Sequence, residues 1–556
     1  MRTAQRYLFG VLVALLAGGV WAASAVDRAS AVARKRDVMY YALGFEPCYW
    51  PKNVPFSPQN FRNIRLNALL RTPTPIDTLV YCPIGGFGCL SAKIPSAEMP
   101  LKQPSAESSW MRGVRNALPE FLKAGTDPVK EVVAWAKENK KELFLALPVN
   151  SHEQANSQKN RPILWDNYFW SPWKDKHPNA LMGAGENGHP KFGSATDVDY
   201  GQAIVRTQYA AMAKDLAETY DIDGLLLDFC SSPILFRTVA YGAKAGTKEW
   251  QQMTDMVAQI RKSVDAAGQK RGRPILLTAR VPDSLTFCKD IGLDLMAMVD
   301  LRLFDFIVAG GVVELNPWSY MGDALKKSGT PFYAAFNISD IFVGNDSGYE
   351  ADDDRPTLRR QSPQTYRARI QEAGVGGAAG VMFVNPYHWH RFGLSCICGT
   401  IASVKTQDKR YQVTYRNNHA ARAAVADGMK HCTREQLISG APYDLKGAPA
   451  KYGVYVWDNL EALKRQGHEP TRAILTTEAS IPSGIQTTVT LNGKSVKLLK
   501  KIAGSQQYEV PLSVLKYGRN EVVVKASGKN KRNQTAKLGN VAIDVIFSEP
   551  KKGGAK

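Results

Sequence analysis

The run Asp221-Ile222-Asp223-Gly224-Leu225-Leu226-Leu227-Asp228-Phe229-Cys230 sets a carboxylate at each end of a short apolar stretch. A carboxylate at the C-terminal end of a buried strand points to the face where a barrel enzyme works, as nucleophile or as general acid. Asp228 is therefore the first catalytic candidate. The alternative is a structural carboxylate, paired with a basic group on a neighbouring strand. Asp223 belongs to the opposite end and to stability, and Gly224 reads as a tight turn. Acid–base work by carboxylates needs a second group. Asp283, Glu314, Glu153 and Asp340 each follow an apolar run, and Asp283 and Glu314 rank together ahead of the others. Arg280, close to Asp283, is suited to gripping an anion or holding a carboxylate charged, and equally to a plain ion pair.

Aromatic and polar side chains gather in two other places. The stretch 150–199 carries Asn150, His152, Glu153, Trp165, Tyr168, Trp170, Trp173, His177 and His189, far more than a connector needs. Aromatic faces of this kind stack on sugar rings, or else fold a small core of their own. The second place is Asn385-Pro386-Tyr387-His388-Trp389-His390. His388 and His390 have ligand spacing, but no third ligand stands near in sequence, so sugar contact is favoured over zinc. Cys396 and Cys398 lack a partner pair at zinc-finger spacing. The acidic residues Asp346, Glu350, Asp352, Asp353 and Asp354 do not follow the calcium-loop pattern and read as a solvated loop. No metal and no cofactor is expected.

The elements that must position these residues are short, nearly continuous apolar runs at 38–45, 78–84, 143–149, 224–229, 274–279, 304–309, 332–336 and 380–384. Strands buried on both faces look like this, and helical periods separate them. One helix is expected over 200–220, with Ile204, Ala210, Ala213, Leu216 and Tyr220 on its apolar side. Eight such units over 37–386 predict an α/β fold, a (β/α)8 TIM barrel. The competitor is an open doubly wound sheet, whose dinucleotide-binding form is weakened by the lack of a Gly-x-Gly-x-x-Gly turn. From 451 to 548 the pattern alternates, with strands at 473–477, 487–491, 507–510, 521–524 and 541–547, which predicts a small all-β sandwich. The stretch 387–450 is a connector without assigned elements, and 549–556 is expected to be a disordered tail. The sandwich is expected to be an accessory module, separable near Ala450.

Asp223-Gly224-Leu-Leu-Leu-Asp228-Phe229, preceded by Trp173-Lys-Asp-Lys-His177-Pro178 and Asp199-Tyr200, resembles glycoside-hydrolase-like barrels related loosely to family 10. Leu491-Asn492-Gly493, Tyr508-Glu-Val-Pro511-Leu512 and Gly518-Arg519-Asn520-Glu521-Val522 add to the resemblance, which covers most of the chain beyond residue 25. It implies hydrolysis of glycosidic bonds in a poly- or oligosaccharide by paired carboxylates. Paired glutamates at the fourth and seventh strand ends are not matched, because the seventh run is followed by Asn337. That departure keeps a second reading open, a non-catalytic carbohydrate-binding or cell-surface barrel. Asn150, His152, Glu153, Trp173, His177, Arg280, Asn337, Asn385, His388 and Trp389 are the candidate substrate contacts.

A basic start, an apolar stretch and Ala23-Ser24-Ala25 make residues 1–25 a signal peptide, which predicts a secreted or periplasmic protein. No later run is long enough for an integral membrane span. Eight cysteines are compatible with disulfides, although Cys82 and Cys230 fall where buried thiols are equally expected. The net charge is +20, and residues 451–556, with 18 basic and 8 acidic side chains, contribute +10 of it. Lys494, Lys497, Lys500, Lys501, Lys529, Lys531 and Arg532 stand almost unopposed there. An exported basic surface points to anionic polysaccharide, anionic lipid or cell wall rather than nucleic acid, or simply to solubility.

Overall fold

The computed structural model describes residues 27–85, 87–101, 103, 113–150, 171–184, 190–310, 314–337, 362–384, 393–413, 428–434, 443–446, 448–502, 504–529 and 534–548. Residues 1–25, read above as a signal peptide, and residues 549–556 lie outside them, as do Asp340 and the acidic run that follows it. Eight parallel strands close into a barrel: β1 Val38–Ala42, β2 Thr78–Tyr81, β3 Glu142–Pro148, β4 Gly224–Asp228, β5 Leu276–Val281, β6 Phe306–Ala309, β7 Phe332–Asn337 and β8 Gly380–Val384. Each pairs with its neighbours in sequence, and β1 closes the ring on β8. The eight apolar runs are the eight strands, so the open-sheet alternative is excluded. β5 runs past the expected end, through Arg280 to Val281. A charged residue can occupy that buried position because Asp228 stands beside it in register on β4.

Helices cover the outside, among them α1 Pro128–Glu138, α2 Ala203–Thr219, α3 Thr247–Arg271, α4 Leu285–Asp290, α5 Trp318–Lys326 and α6 Pro363–Val375. Side chains of Asp127, Ser284 and Ser362 cap α1, α4 and α6 by accepting a backbone N–H. α2 buries Val205, Tyr209, Met212, Ala213 and Leu216, whereas Ile204 is exposed. Ala210, Ala213, Leu216 and Tyr220 are buried as expected, and Ile204 alone of the expected face is not. Gly224 is no turn glycine. It opens β4, and a Cβ there would overlap the ring of Phe144 on β3. Asp223 does serve stability at the N-terminal end, accepting from the Leu143 N–H at 2.9 Å and pairing with Arg273 at 3.0 Å.

The inside of the barrel is filled by Met39, Tyr41, Val80, Phe144, Ala146, Leu226, Leu276, Phe306, Val308, Tyr333, Ala335 and Met382. At its N-terminal end this apolar column meets a buried ion pair. Arg36 donates from Nε and Nη2 to the two oxygens of Glu142, each at 2.7 Å, and its remaining N–H groups go to the carbonyls of Ala31, Val32 and Arg34. Thr78 donates to the same carboxylate at 2.6 Å.

The C-terminal unit is a pair of antiparallel sheets. Its strands are β9 Lys409–Val413, β10 Ala450–Val456, β11 Arg472–Ser480, β12 Ile485–Leu491, β13 Lys494–Ser495, β14 Lys497–Ile502, β15 Ser505–Val510, β16 Gly518–Gly528 and β17 Lys537–Ile546. One sheet runs β9-β17-β11-β15-β14, with Tyr443–Asp444 also on β17, and the other runs β10-β16-β12-β13. The sandwich therefore begins inside the stretch read as a connector, because β9 pairs with β17 along its whole length. The first sheet also leans on the barrel. Ala368 of α6 is part of the sandwich core, Arg367 donates to the Asp408 carbonyl at 3.4 Å, and Gln371 donates to the Trp457 carbonyl at 3.0 Å. At this joint Lys409 and Asp458, both fully buried, pair at 3.1 Å.

Two outcomes follow from this packing. Glu142→Ala leaves the Arg36 guanidinium buried without its counter-charge and should cost about 3–5 kcal/mol of stability, while Arg36→Met combined with Glu142→Leu should regain most of it. The midpoints of guanidinium unfolding measure both. A chain ending at residue 450 strips β9 of its partner and opens the α6 joint, so it should lose cooperative unfolding rather than behave as a trimmed, intact barrel. Calorimetry on the shortened chain decides this against the expected separability.

Candidate active site

Asp228 is the last residue of β4, and its side chain is fully buried. Its Oδ2 accepts from the Tyr41 hydroxyl at 2.9 Å, from the Ser231 hydroxyl at 2.7 Å and from Arg280 Nη1 at 3.3 Å, while Oδ1 accepts from the Cys230 N–H at 2.8 Å. Three strands thus send one side chain each to a single point at the C-terminal end of the barrel: Tyr41 from β1, Asp228 from β4 and Arg280 from β5. Arg280 also donates from Nε to the Gly310 carbonyl at 3.1 Å and lies over the Tyr41 ring, 5.7 Å from its centroid. Parallel pairing sets Asp228 directly beside Arg280, so the guanidinium reaches the carboxylate without leaving its own strand.

Tyr41 is the member that sequence reasoning missed. Burial pushes its phenol well above the ordinary tyrosine range, with the Asp228 charge adding to the effect, so the group keeps its proton and serves as donor. The available signal was the pair Tyr40-Tyr41 inside an apolar strand. Alternation sends one ring inward, where its hydroxyl needs a polar partner. Burial also pushes the Cys82 thiol up to about 12 and raises that of Cys230, which makes both poor nucleophiles. No disulfide joins any of the eight cysteines, seven of which are buried.

The two other carboxylates ranked from sequence have occupied oxygens. Asp283, fully buried after β5, accepts from the Leu315 N–H at 2.8 Å and the Asn316 N–H at 3.0 Å, which fastens the loop after β6 to the loop after β5. Glu314 forms an ion pair with Arg369 of α6 and lies 3.6 Å from Arg434, which in turn holds Glu372 at 2.6 Å. Asn150 is a bracket between loops: its amide donates to the carbonyls of Val198 and Ile234 at 3.0 and 2.7 Å, and its oxygen accepts from the Val198 N–H at 3.0 Å. Trp173 meets Phe87 edge-on at 4.8 Å and lies 4.4 Å from the His177 ring, whose Nδ1 is 2.8 Å from the Trp173 carbonyl. This part of the loop packs onto the main core of the barrel, with Phe87 of the loop after β2. His152, Glu153, Asn385, His388, Trp389 and the side chain of Asn337 lie outside the described residues.

A strap from the C-terminal unit reaches the same face of the barrel. Residues 428–434 belong to the chain between β9 and β10. The N–H groups of Thr433 and Arg434 donate to the Leu315 carbonyl at 2.9 and 3.2 Å, and Thr433 Oγ1 donates to Asn316 at 2.6 Å. His431 sits between Thr286 and Asp290 of α4, with Nδ1 2.9 Å from the Thr286 hydroxyl and Nε2 3.0 Å from the Asp290 carboxylate. The loops after β5 and β6 are therefore braced by a segment that follows the barrel in sequence.

No family model and no curated protein matches the chain, so the family-10 likeness remains one of motifs. Among solved structures, the chain is similar to the PgaB (BpsB) glycoside hydrolase domain from Bordetella bronchiseptica, with 12% identity, 72% of this chain and 99% of that one covered, and a TM-score of 0.35. It is similar to alpha-L-fucosidase isoenzyme 2 from Paenibacillus thiaminolyticus, with 10% identity, coverage of 93% and 100%, and a TM-score of 0.41. It is also similar to a family GH18 chitinase from Chromobacterium violaceum, with 10% identity, coverage of 91% and 90%, and a TM-score of 0.36. Similarity at this level assigns no role to any residue.

The strap carries a pH dependence whose sign is set by His431. Desolvation lowers its pKa from the ordinary 6.5, Lys430 and Lys244 push the same way, and Asp290 opposes them. The folded state thus favours neutral imidazole. Its stabilisation is complete above the unfolded value and is lost as the pH falls below about 6.5, where the unfolded chain takes up the proton first. Amide exchange across residues 428–434 should speed up between pH 7 and pH 5. His431→Gln, which keeps an amide for Thr286 and Asp290 but does not titrate, should flatten that dependence.

Proposed function

We propose that this chain is an exported glycoside hydrolase that cleaves O-glycosidic bonds of a poly- or oligosaccharide at the C-terminal mouth of its barrel, with Asp228 as the central carboxylate. One observation carries the reading: Tyr41, Asp228 and Arg280 converge from three strand ends at the face where barrel active sites lie. A neutral phenol and a guanidinium fix the carboxylate in one orientation, as an attack on an anomeric carbon requires. Ser231 is half-buried, and it is the one rotatable hydroxyl on Oδ2 that borders solvent. Turning it away exposes Oδ2 while Tyr41 and Arg280 keep their hold.

Asp228 would then bond to, or stabilise, the anomeric carbon while a second carboxyl group protonates the leaving oxygen, and water completes the hydrolysis. Asp283 and Glu314 are engaged elsewhere. Glu153 and Asp340, on the loops after β3 and β7, are the proposed sources of that proton. The occupied carboxylates also favour a second reading, a barrel that binds carbohydrate without cleaving it.

The test is turnover on a panel of neutral and sulfated polysaccharides, with thermal unfolding measured on the same samples. Asp228→Asn should lower the rate by about 10²- to 10⁴-fold, the range for losing a nucleophile or acid–base group, and Ser231→Ala should keep most of it. Glycan binding by the parent without any turnover would establish the second reading. An Asp228→Asn variant that hydrolyses at the parent's rate would remove Asp228 from the mechanism.

A further inference from the structure

We infer that the open edge of the sandwich, formed by β13 and β14, is a docking surface for an anionic polysaccharide. β14 is the last strand of its sheet, β13 is the last of the facing sheet, and a single residue, Val496, joins them. Lys494, Lys497, Lys500 and Lys501 are all exposed on this edge. From residue 479 to residue 508 the chain carries these four lysines and not one Asp or Glu. The nearest acid across the sheet is Glu509, opposite Lys497. Lys497 to Lys501 spans about 13 Å of extended strand, a line of charge rather than a cluster.

Edge strands often carry lysine merely to discourage pairing with another chain. That role does not account for the rest of the charge. Lys525 is exposed on β16, an interior strand with neighbours on both sides, and Lys529 and Lys537 are exposed where β16 ends and β17 begins. The register brings Gly528 against Ile485 and Lys537 against Ser480, so both lysines stand at the end of the sandwich that Lys501 approaches. The basic surface thus follows the edge and turns onto the end, and self-repulsion among these ammonium groups is relieved by a polyanion.

Two exposed leucines, Leu498 at 42% and Leu499 at 48%, raise the question of a lipid surface. Neither stands on a protruding loop. Leu498 is in register with Tyr508, whose side chain belongs to the sandwich core, and Leu499 sits at the irregularity between Leu498 and Lys500. Insertion into a bilayer needs an apolar projection. Lysines spread along an edge strand, on both of its faces, suit an extended chain of sulfate or carboxylate groups instead. This binding is independent of the catalytic reading, because its readout is retention and not hydrolysis.

The experiment uses the full chain with dextran sulfate, neutral dextran, and vesicles of phosphatidylserine with phosphatidylcholine. The parent should bind dextran sulfate in a salt-sensitive manner and leave neutral dextran and vesicles alone. The triple variant Lys497→Gln, Lys500→Gln, Lys501→Gln should lose at least about tenfold in affinity for dextran sulfate. Exposed lysines elsewhere, changed as Lys123→Gln, Lys248→Gln and Lys262→Gln, alter the net charge equally and should cost less than about twofold. Parental affinity in the edge variant, equal loss in the control variant, or binding to vesicles but not to dextran sulfate would each overturn the proposal.

Discussion

The buried contact between Asp228 and Arg280 is the constraint around which the mouth of the barrel is arranged. Neither side chain reaches solvent to any useful extent, at 0% and 3% exposure. Taking two charges out of water costs several kcal/mol per ion, and the attraction between them offsets this only when the remaining donors and acceptors are also met. The Tyr41 and Ser231 hydroxyls and the Cys230 N–H meet the carboxylate, and the Gly310 carbonyl accepts from Arg280 Nε. Each of these partners is thereby fixed in turn. β1, β4 and β5 cannot slide relative to one another without breaking the set, and the loops after β4 and β6 are pinned by their backbone.

A second pair, Arg36 with Glu142, closes the opposite end, and between the two lies an apolar column with no charge in it. This arrangement accounts for which parts of the fold could be read from residues. The strands announce themselves because both faces are buried, which forces continuous apolar runs, and Gly/Pro-rich or polar stretches divide them. Asp228 was legible because a charge at the end of such a run is costly to bury and so must have a partner or a task. Its partnership with Arg280 was not, since it depends on register between strands separated by the 25 residues of α3 and its flanking loops. Tyr41 was hidden for the same reason, as a phenol within an apolar run looks like core until something lies opposite its hydroxyl.

Asp283, Glu314 and Asn150 show the converse. Each follows a barrel strand, the position that suggests chemistry, yet each holds loops together. A strand-end loop must satisfy its own backbone N–H and C=O groups once it is buried, and side chains with several acceptors or donors do this most economically. Asp283 takes two N–H groups of the β6 loop, and Asn150 takes one N–H and two carbonyls. Such residues and catalytic ones look alike in sequence because both are polar groups placed after apolar strands. The stretch 387–450 was opaque for another reason. Its strand β9 finds its partner more than a hundred residues later, and its strap docks on the barrel rather than on its own unit, so no local periodicity marks either.

Three ion pairs among the described residues are buried on both sides to within a few per cent, and one of them has a route to open. Arg36 and Glu142 are enclosed by Thr78 and three backbone carbonyls, and these carbonyls cannot turn away without unwinding the chain that carries them. Lys409 is held by Asp458 and by the carbonyls of Val404, Lys405 and Gln407, again backbone. The other two carboxylates also accept from side-chain hydroxyls, Thr78 on Glu142 and Tyr411 on Asp458, but both are buried; Asp228 differs in that its Ser231 is half-buried and borders solvent. Losing that contact forfeits one hydrogen bond out of four while the guanidinium, the phenol and the Cys230 N–H remain. Under the proposed reading, a carboxylate that meets a substrate requires such a removable cover. That asymmetry, more than burial or position, separates Asp228 from the other charges of the fold.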